Sequence, residues 1–306
     1  MKTNWRRLMP ALVGLALLAA AAPAFAAFED VEVSPRARAL GGAFSALPAD
    51  AYAPFHNAAA LAWTGEPNGA ASFVKPFGYD FSQQIVASGT MSAGKLGGLG
   101  IGVRHFGVEY RDENLTGETT ISLAHGFQLL KDMQSTLAAG WTINLYHLDY
   151  GMSVDADPAQ SGSGIDPGSA TAFGVDFSAQ ATIYNRTRVG FYALNMNNPT
   201  IGKTDKEDLI RRVGAGVAYM PYKGVTTALD ISSTLGDPLQ FRGGTEFDVN
   251  EYLCLRAGIR SEPSIFTAGV GISQYGITVD YGFSTGGGTL EATHQFGVSY
   301  VLSSGK

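Results

Sequence analysis

The sequence predicts an all-β protein: a transmembrane antiparallel β-barrel of about fourteen strands, with an N-terminal segment folded into its lumen. Three observations carry this expectation. Apolar and polar residues alternate with period two along most of the chain, as in strands that give one face to an apolar phase and the other to water. Only 16% of the 306 residues are charged, against about a quarter in ordinary globular chains. Beyond the N-terminus no stretch approaches the roughly 18 uninterrupted apolar residues of a membrane helix, whereas strands cross lipid with about 9–11 residues each.

Residues 1–26 read as a secretory signal peptide. Lys2, Arg6 and Arg7 form a basic start, Leu8 to Ala22 an uncharged apolar run, and Ala24-Phe25-Ala26 a small-x-small cleavage site. Cleavage after Ala26 removes three bases and no acid, leaving 18 bases, 27 acids and a formal charge of −9. That balance opposes a nucleic-acid partner, which needs a basic surface. The single cysteine, Cys254, excludes an intrachain disulfide. An exported chain with period-two strands and no helical span is expected in the bacterial outer membrane, with its lipid as one partner.

Residues 27–66 do not alternate. They are rich in alanine, with Gly41, Gly42, Pro48 and Pro54, and read as a compact segment small enough to pack inside a barrel. Residues 67–302 carry the strands, and 303–306 form a tail. The clearest strands are 137–145, 173–178, 213–219, 225–232, 253–260, 266–273, 277–284 and 293–302. In the last, Phe296, Val298, Tyr300 and Leu302 share one face, and Gln295, Gly297 and Ser299 the other. Fainter candidates lie at 69–77, 80–93, 95–108, 117–130, 186–196 and 238–248.

Alternation alone also suits a soluble β-sandwich. Two features favour the membrane barrel. Aromatic residues sit at strand ends (Tyr281 and Phe283, Tyr300, Trp141 and Tyr146), as in interfacial girdles, and the chain closes on an aromatic-alternating strand. Tight turns are expected at Gly78-Tyr79, Gly94-Lys95, Met220–Gly224, Gly236–Pro238, Asn250-Glu251 and Glu262-Pro263. Longer loops are expected at Arg111–Gly117, Gly151–Ser169, Asn197–Asp208 and Ser284–Gly288, with Gly151–Ser169 the mobile external one.

The alternation turns Asp176, Arg212, Asp230, Arg256, Arg260 and Asp280 toward the lumen. Arg36, Arg38 and Asp50 of the N-terminal segment are expected either to pair with such wall charges or to stand solvated in a watery lumen.

The run Ser34-Pro35-Arg36-Ala37-Arg38-Ala39-Leu40-Gly41-Gly42-Ala43-Phe44, followed by Asp50-Ala51 and Asn57-Ala58-Ala59, resembles the N-terminal signature of the PorV/PorQ family of FadL-like outer-membrane barrels. That signature has Asn-Pro-Ala where this chain has Asn57-Ala58-Ala59, and a Met between the two glycines that is missing here. Leu194-Asn195-Met196-Asn197-Asn198-Pro199 is similar to the family's Asn-Leu-x-x-Pro stretch. Val279–Phe283 with Thr293-His294-Gln295 resembles its closing pattern. The resemblance implies a fourteen-stranded barrel with a luminal hatch, whose plug motif here would be Arg36, Arg38, Gly41, Gly42, Phe44, Asp50 and Asn57. It implies one of two roles. FadL-like proteins pass hydrophobic small molecules, fatty-acid-like or aromatic, through a plugged lumen. PorV instead serves type IX secretion and receives protein cargo.

Enzymatic chemistry is not expected. None of His56, His105, His125, His147 and His294 stands beside a nucleophile elbow, and His294–Ser299 and His125–Ser122 point to opposite strand faces. No cofactor is expected, and Asp155, Asp157 and Asp166 lack calcium-loop spacing.

Overall fold

The computed structural model describes residues 28, 31–111, 113–151, 168–203 and 206–302. The expected signal peptide with its cleavage site, the three aspartates of the 151–169 loop and the 303–306 tail lie outside the described residues.

Fourteen antiparallel strands close into one barrel. They are β1 (Asn68–Lys75), β2 (Ser82–Ser92), β3 (Gly98–Tyr110), β4 (Glu113–Lys131), β5 (Ser135–Tyr150), β6 (Ser169–Ile183), β7 (Thr187–Leu194), β10 (Arg212–Tyr219), β11 (Val225–Thr234), β12 (Gln240–Asp248), β13 (Leu253–Arg260), β14 (Ile265–Gln274), β15 (Ile277–Ser284) and β16 (Thr293–Val301). Two further strands, β8 (Thr200–Ile201) and β9 (Glu207–Asp208), form a separate small hairpin in the connection after β7. Each barrel strand pairs with its neighbour in the chain, β7 with β10 across that hairpin, and β1 with β16 closes the ring through pairs such as Phe73 with Phe296. Closure removes the open edge that lipid could not satisfy.

The alternation sets the two faces. On β4, Ile121 and Leu123 are exposed while Thr120, Ser122 and Ala124 are buried; on β16, Phe296, Val298 and Tyr300 are exposed while Gln295 is buried. Leu99, Ile143, Phe191, Leu229, Phe241, Ile259, Phe266 and Val279 continue the exposed apolar belt. Lipid chains satisfy such a belt, and water does not. The chain ends are polarised. Tyr184, Tyr222, Tyr252 and Tyr275 stand exposed in the turns after β6, β10, β12 and β14, with Tyr219 and Tyr300 at adjoining strand ends. These connections are short, and they share their end of the barrel with the start of β1 and the end of β16. The opposite end bears the longer connections, including the β8–β9 hairpin and residues 285–292.

Two expectations are corrected and one is refined. Arg111–Gly117 is not a long loop. β3 runs to Tyr110 and β4 begins at Glu113, because the polar residues on both sides pair across a bulge between Val108 and Glu109 and extend the hairpin. Within the loop expected at Asn197–Asp208, Thr200–Ile201 and Glu207–Asp208 pair as β8 and β9. Tyr146 belongs to no girdle. It has the opposite parity to the outward-facing Trp141, is buried, and donates its hydroxyl to Asn195 Oδ1 at 3.0 Å.

Candidate functional site

The lumen holds residues 31–66, and the sequence explains their shape. Ser34 caps helix α1 (Pro35–Ala39) by accepting the Ala37 N–H at 3.3 Å, and Pro35 occupies the first turn, where no intrahelical donor is needed. Gly41 and Gly42 end it, at φ of 68° and 81°, where side chains are strained. A second short helix, α2 (Ala53–His56), leads to a 3₁₀ turn over Ala58–Trp63. Asn57 caps that turn through its Oδ1 on the Ala59 N–H and donates from Nδ2 to the Ser45 carbonyl at 2.6 Å, tying two parts of the segment together.

The segment runs round the inner wall in chain order. Pro35 lies against Gly282 and Gly297, Ala39 against Gly269, Leu40 against Gly258 and Gly244, and Ser45 against Gly190 and Gly216. Ala58 and Ala59 then lie against Gly126 and Gly140, and Leu61 against Gly98. A methyl on any of these wall glycines would come within 3.0 Å of the segment. The glycines face one another across the strands: 282 with 269, 258 with 244, 216 with 190, and 140 with 126 and 126 with 98. They form an inner girdle that admits a polypeptide backbone where other positions carry side chains.

Polar contacts fix the segment at intervals. Arg36 makes a two-toothed contact with Glu246, Nε to Oε2 at 2.8 Å and Nη2 to Oε1 at 2.9 Å, and reaches Asp50 at 3.5 Å. Its guanidinium also lies over the Phe44 ring, 5.3 Å from the centroid. Glu246 accepts from Arg256 as well, at 2.7 Å, and Arg256 extends to Asp280 at 2.6 Å. Burial pushes the Asp50 carboxyl above its ordinary range, against the opposing pull of Arg36. Arg38 donates to Gln295 Oε1 and Ser284 Oγ. Asp230 accepts the backbone N–H groups of Phe44 and Ser45 at 3.0 and 2.9 Å.

The inward wall charges therefore sort into roles that the sequence left open. Arg256 and Asp280 belong to the Arg36 network, and Asp230, directly across from Arg242, holds two backbone N–H groups of the segment. Asp176 accepts from Asn144 and from the Asn195 N–H. Arg212 donates to Thr234. Arg260 stands directly across from Arg242. The chief wall partner of Arg36 is Glu246, a residue the sequence reading did not single out. Its parity with Arg242 on β12 was the available signal.

Two spaces flank the segment. One, of about 140 Å³, lies toward the long-connection end. Phe28, Phe44, Phe55, Tyr146 and Tyr192 supply rings to it, and Arg104, Asn144 and Asp176 polar groups. The other, of about 430 Å³, lies toward the short-turn end beneath Pro48, Ala49, Ala60 and Trp63. The inward positions of β5 and β6 step from one to the other. Asn144 and Asp176 line the upper space, Thr142, Gly140 and Ser178 meet the segment, and Thr136 and Gln180 line the lower. Among the described residues no group of three or more His, Cys, Asp or Glu is placed to hold a metal ion.

No family model matches the sequence, and no curated protein matches it. Solved structures do match in fold. The Ralstonia pickettii toluene transporter TbuX superposes with a TM-score of 0.58 at 12% identity, over 88% of this chain and 98% of that one. The P. putida toluene transporter TodX gives 0.57 at 14%, over 87% and 97%. A Pseudomonas aeruginosa FadL homologue gives 0.55 at 12%, over 88% and 98%. The chain thus shares, over nearly its whole described length, the barrel fold of these three structures.

Proposed function

We propose that the protein is an outer-membrane barrel that takes up small hydrophobic molecules, with residues 31–66 acting as a luminal plug. On this reading the short-turn end faces the periplasm and the long-connection end the exterior, following the rule for bacterial barrels. The observation that carries the proposal is the upper space. It lies between plug and wall, is lined by five aromatic rings together with charged groups such as Arg104, Asp176, Arg212 and Arg242, and is about 140 Å³ in volume. A cavity of about 150 Å³ lined by apolar side chains holds one benzene ring. This size favours a one-ring solute over a long acyl chain, and a small molecule over the protein cargo that the PorV-like resemblance also allowed. The fold neighbours TbuX and TodX are described as toluene transporters, which supports the same reading.

The plug motif then has a mechanical role. Arg36, Arg38, Asp50 and Asn57 secure the segment, Gly41 and Gly42 let it turn against the wall, and Phe44 contributes a ring to the cavity floor. Passage requires a local shift of the plug rather than its departure, because the glycine girdle holds it closely on all sides.

The test is uptake of radiolabelled toluene into liposomes containing the full mature chain. Faster entry than into protein-free liposomes, and slower entry with F44A and F55A, is expected. Equal entry with and without the protein would reject the transport reading.

A further inference from the structure

The lower space carries polar groups that nothing in the fold uses. Gln180 is only 1% exposed; its Nε2 donates to the Leu47 carbonyl at 2.9 Å, while its Oε1 has no hydrogen-bond partner. Trp63 Nε1 and Thr64 Oγ1 are likewise buried and without a partner. All three residues line the same space of about 430 Å³. Arg188 lines it too and makes a weak contact, Nη1 to the Met220 sulfur at 3.6 Å. No carboxylate of the described residues lies within salt-bridge distance of Arg188, and the one acid on the rim, Glu66, is exposed.

An unpaired buried donor or acceptor costs about 1–3 kcal/mol, so three such groups beside the half-buried Arg188 guanidinium call for an occupant with matching chemistry. The donors, an indole N–H and a guanidinium, call for a carboxylate, which a guanidinium binds by charge-assisted hydrogen bonds. Gln180 Oε1 can only accept and so calls for a hydroxyl, and Thr64 serves either side. The Trp63 indole offers an aromatic face.

We propose that the chamber beneath the plug is a binding site for small hydroxylated organic acids, of which 4-hydroxybenzoate is the probe. The proposal rests on the transport reading for how the solute arrives, and it deepens that reading: among the one-ring solutes that pass, those that carry a carboxylate and a hydroxyl are held in the chamber. Arg188 and Trp63 hold the carboxylate, and Gln180 accepts from the hydroxyl.

Replacing Trp5 and Trp141 by Phe leaves Trp63 as the sole tryptophan of the chain, so its emission reports on the chamber directly. In detergent-solubilised W5F/W141F protein, 4-hydroxybenzoate is expected to change that emission saturably. R188Q in the same background should weaken the apparent affinity by about ten-fold or more, and T64V by less. Toluene should produce no change that R188Q relieves. Absence of a saturable response overturns the proposal, as does a response that R188Q leaves unaltered. Should R188Q fail to show the heat-dependent gel shift of a folded barrel, T64V decides, and undiminished binding by T64V overturns the proposal. Toluene uptake into liposomes without any Trp63 response would reject this site and keep transport; a Trp63 response without uptake would keep the site and reject transport.

Discussion

Glu246 ties the plug to the wall through two arginines at once. It accepts from Arg36 on the plug and Arg256 on the wall, and all three side chains are less than a fifth exposed. Removing one member of a buried ionic group leaves charges that neither water nor a partner stabilises. Glu246→Gln should therefore cost about 3–5 kcal/mol, read as a lower urea midpoint for unfolding from lipid vesicles. Glu66→Gln, at an exposed position with no ion pair among the described residues, should change the midpoint by less than about 0.5 kcal/mol. The faces of these residues were legible in the sequence, since parity alone turns Asp176, Asp230, Arg256 and Asp280 inward. Their partners were not. Arg36 and Glu246 are 210 positions apart, and period two gives a side chain's direction but not which strand stands opposite. Asp230 shows the same limit: an inward acid suggests an ion pair, and this one also holds two backbone N–H groups that no side-chain pattern announces.

Among the elements, the strands were legible and the plug's footprint on them was not. Each clear run of alternation became a barrel strand, and the fainter ones did too, because a closed barrel repeats one rule at every position. The abundance of glycine, 39 residues, was visible from the start but had no assigned cause. The register supplies one: Gly282 with Gly269, Gly258 with Gly244, Gly216 with Gly190 and Gly140 with Gly126 are direct cross-strand partners, so the plug's path is written into the wall as paired absences of side chain. Gly140→Val tests this. Its Cβ would collide with the backbone of Ala58 and Ala59, and neither a buried helical turn nor a barrel strand can yield far. A loss of about 1–3 kcal/mol is expected, as for other overpacked sites. Gly65→Ala is the control, since a methyl there meets nothing within 4 Å, and its unfolding midpoint should match that of the unaltered protein. Equal effects of the two substitutions would remove the girdle as an explanation of the glycine content. The long loop expected at Arg111–Gly117 failed for a related reason. Polar composition marks exposure to water, and above the lipid a strand can be as polar as a loop. β4, at 19 residues, spans roughly 60 Å at about 3.3 Å per residue, far more than the apolar belt of about 25 Å.

At the scale of the molecule, two solvents meet across one wall and the plug divides the inner one. The outer boundary predicts an asymmetry between neighbouring residues of a single strand. Leu123 faces out within the belt and Ser122 faces in, so Leu123→Arg should cost about 2–4 kcal/mol in vesicles, while Leu123→Ile should cost little. The inner boundary predicts a change of conduction. The fourteen-strand ladder closes on itself through β1 and β16 without using the plug, so a chain lacking residues 27–66 retains every pairing of the wall. What it loses is the partition between the upper and lower spaces, together with the partners of Glu246, Asp230 and the glycine girdle. Arg242, Arg256, Asp230 and Asp280 would then face an open, charged lumen that hydrates readily. In planar bilayers the intact protein should show little ion conductance, and the shortened chain a large, steady one passing small hydrophilic solutes as readily as hydrophobic ones. Matching low conductance in both would mean that the wall closes without its plug, and the selective step would have to be sought in the connections at the long-loop end instead.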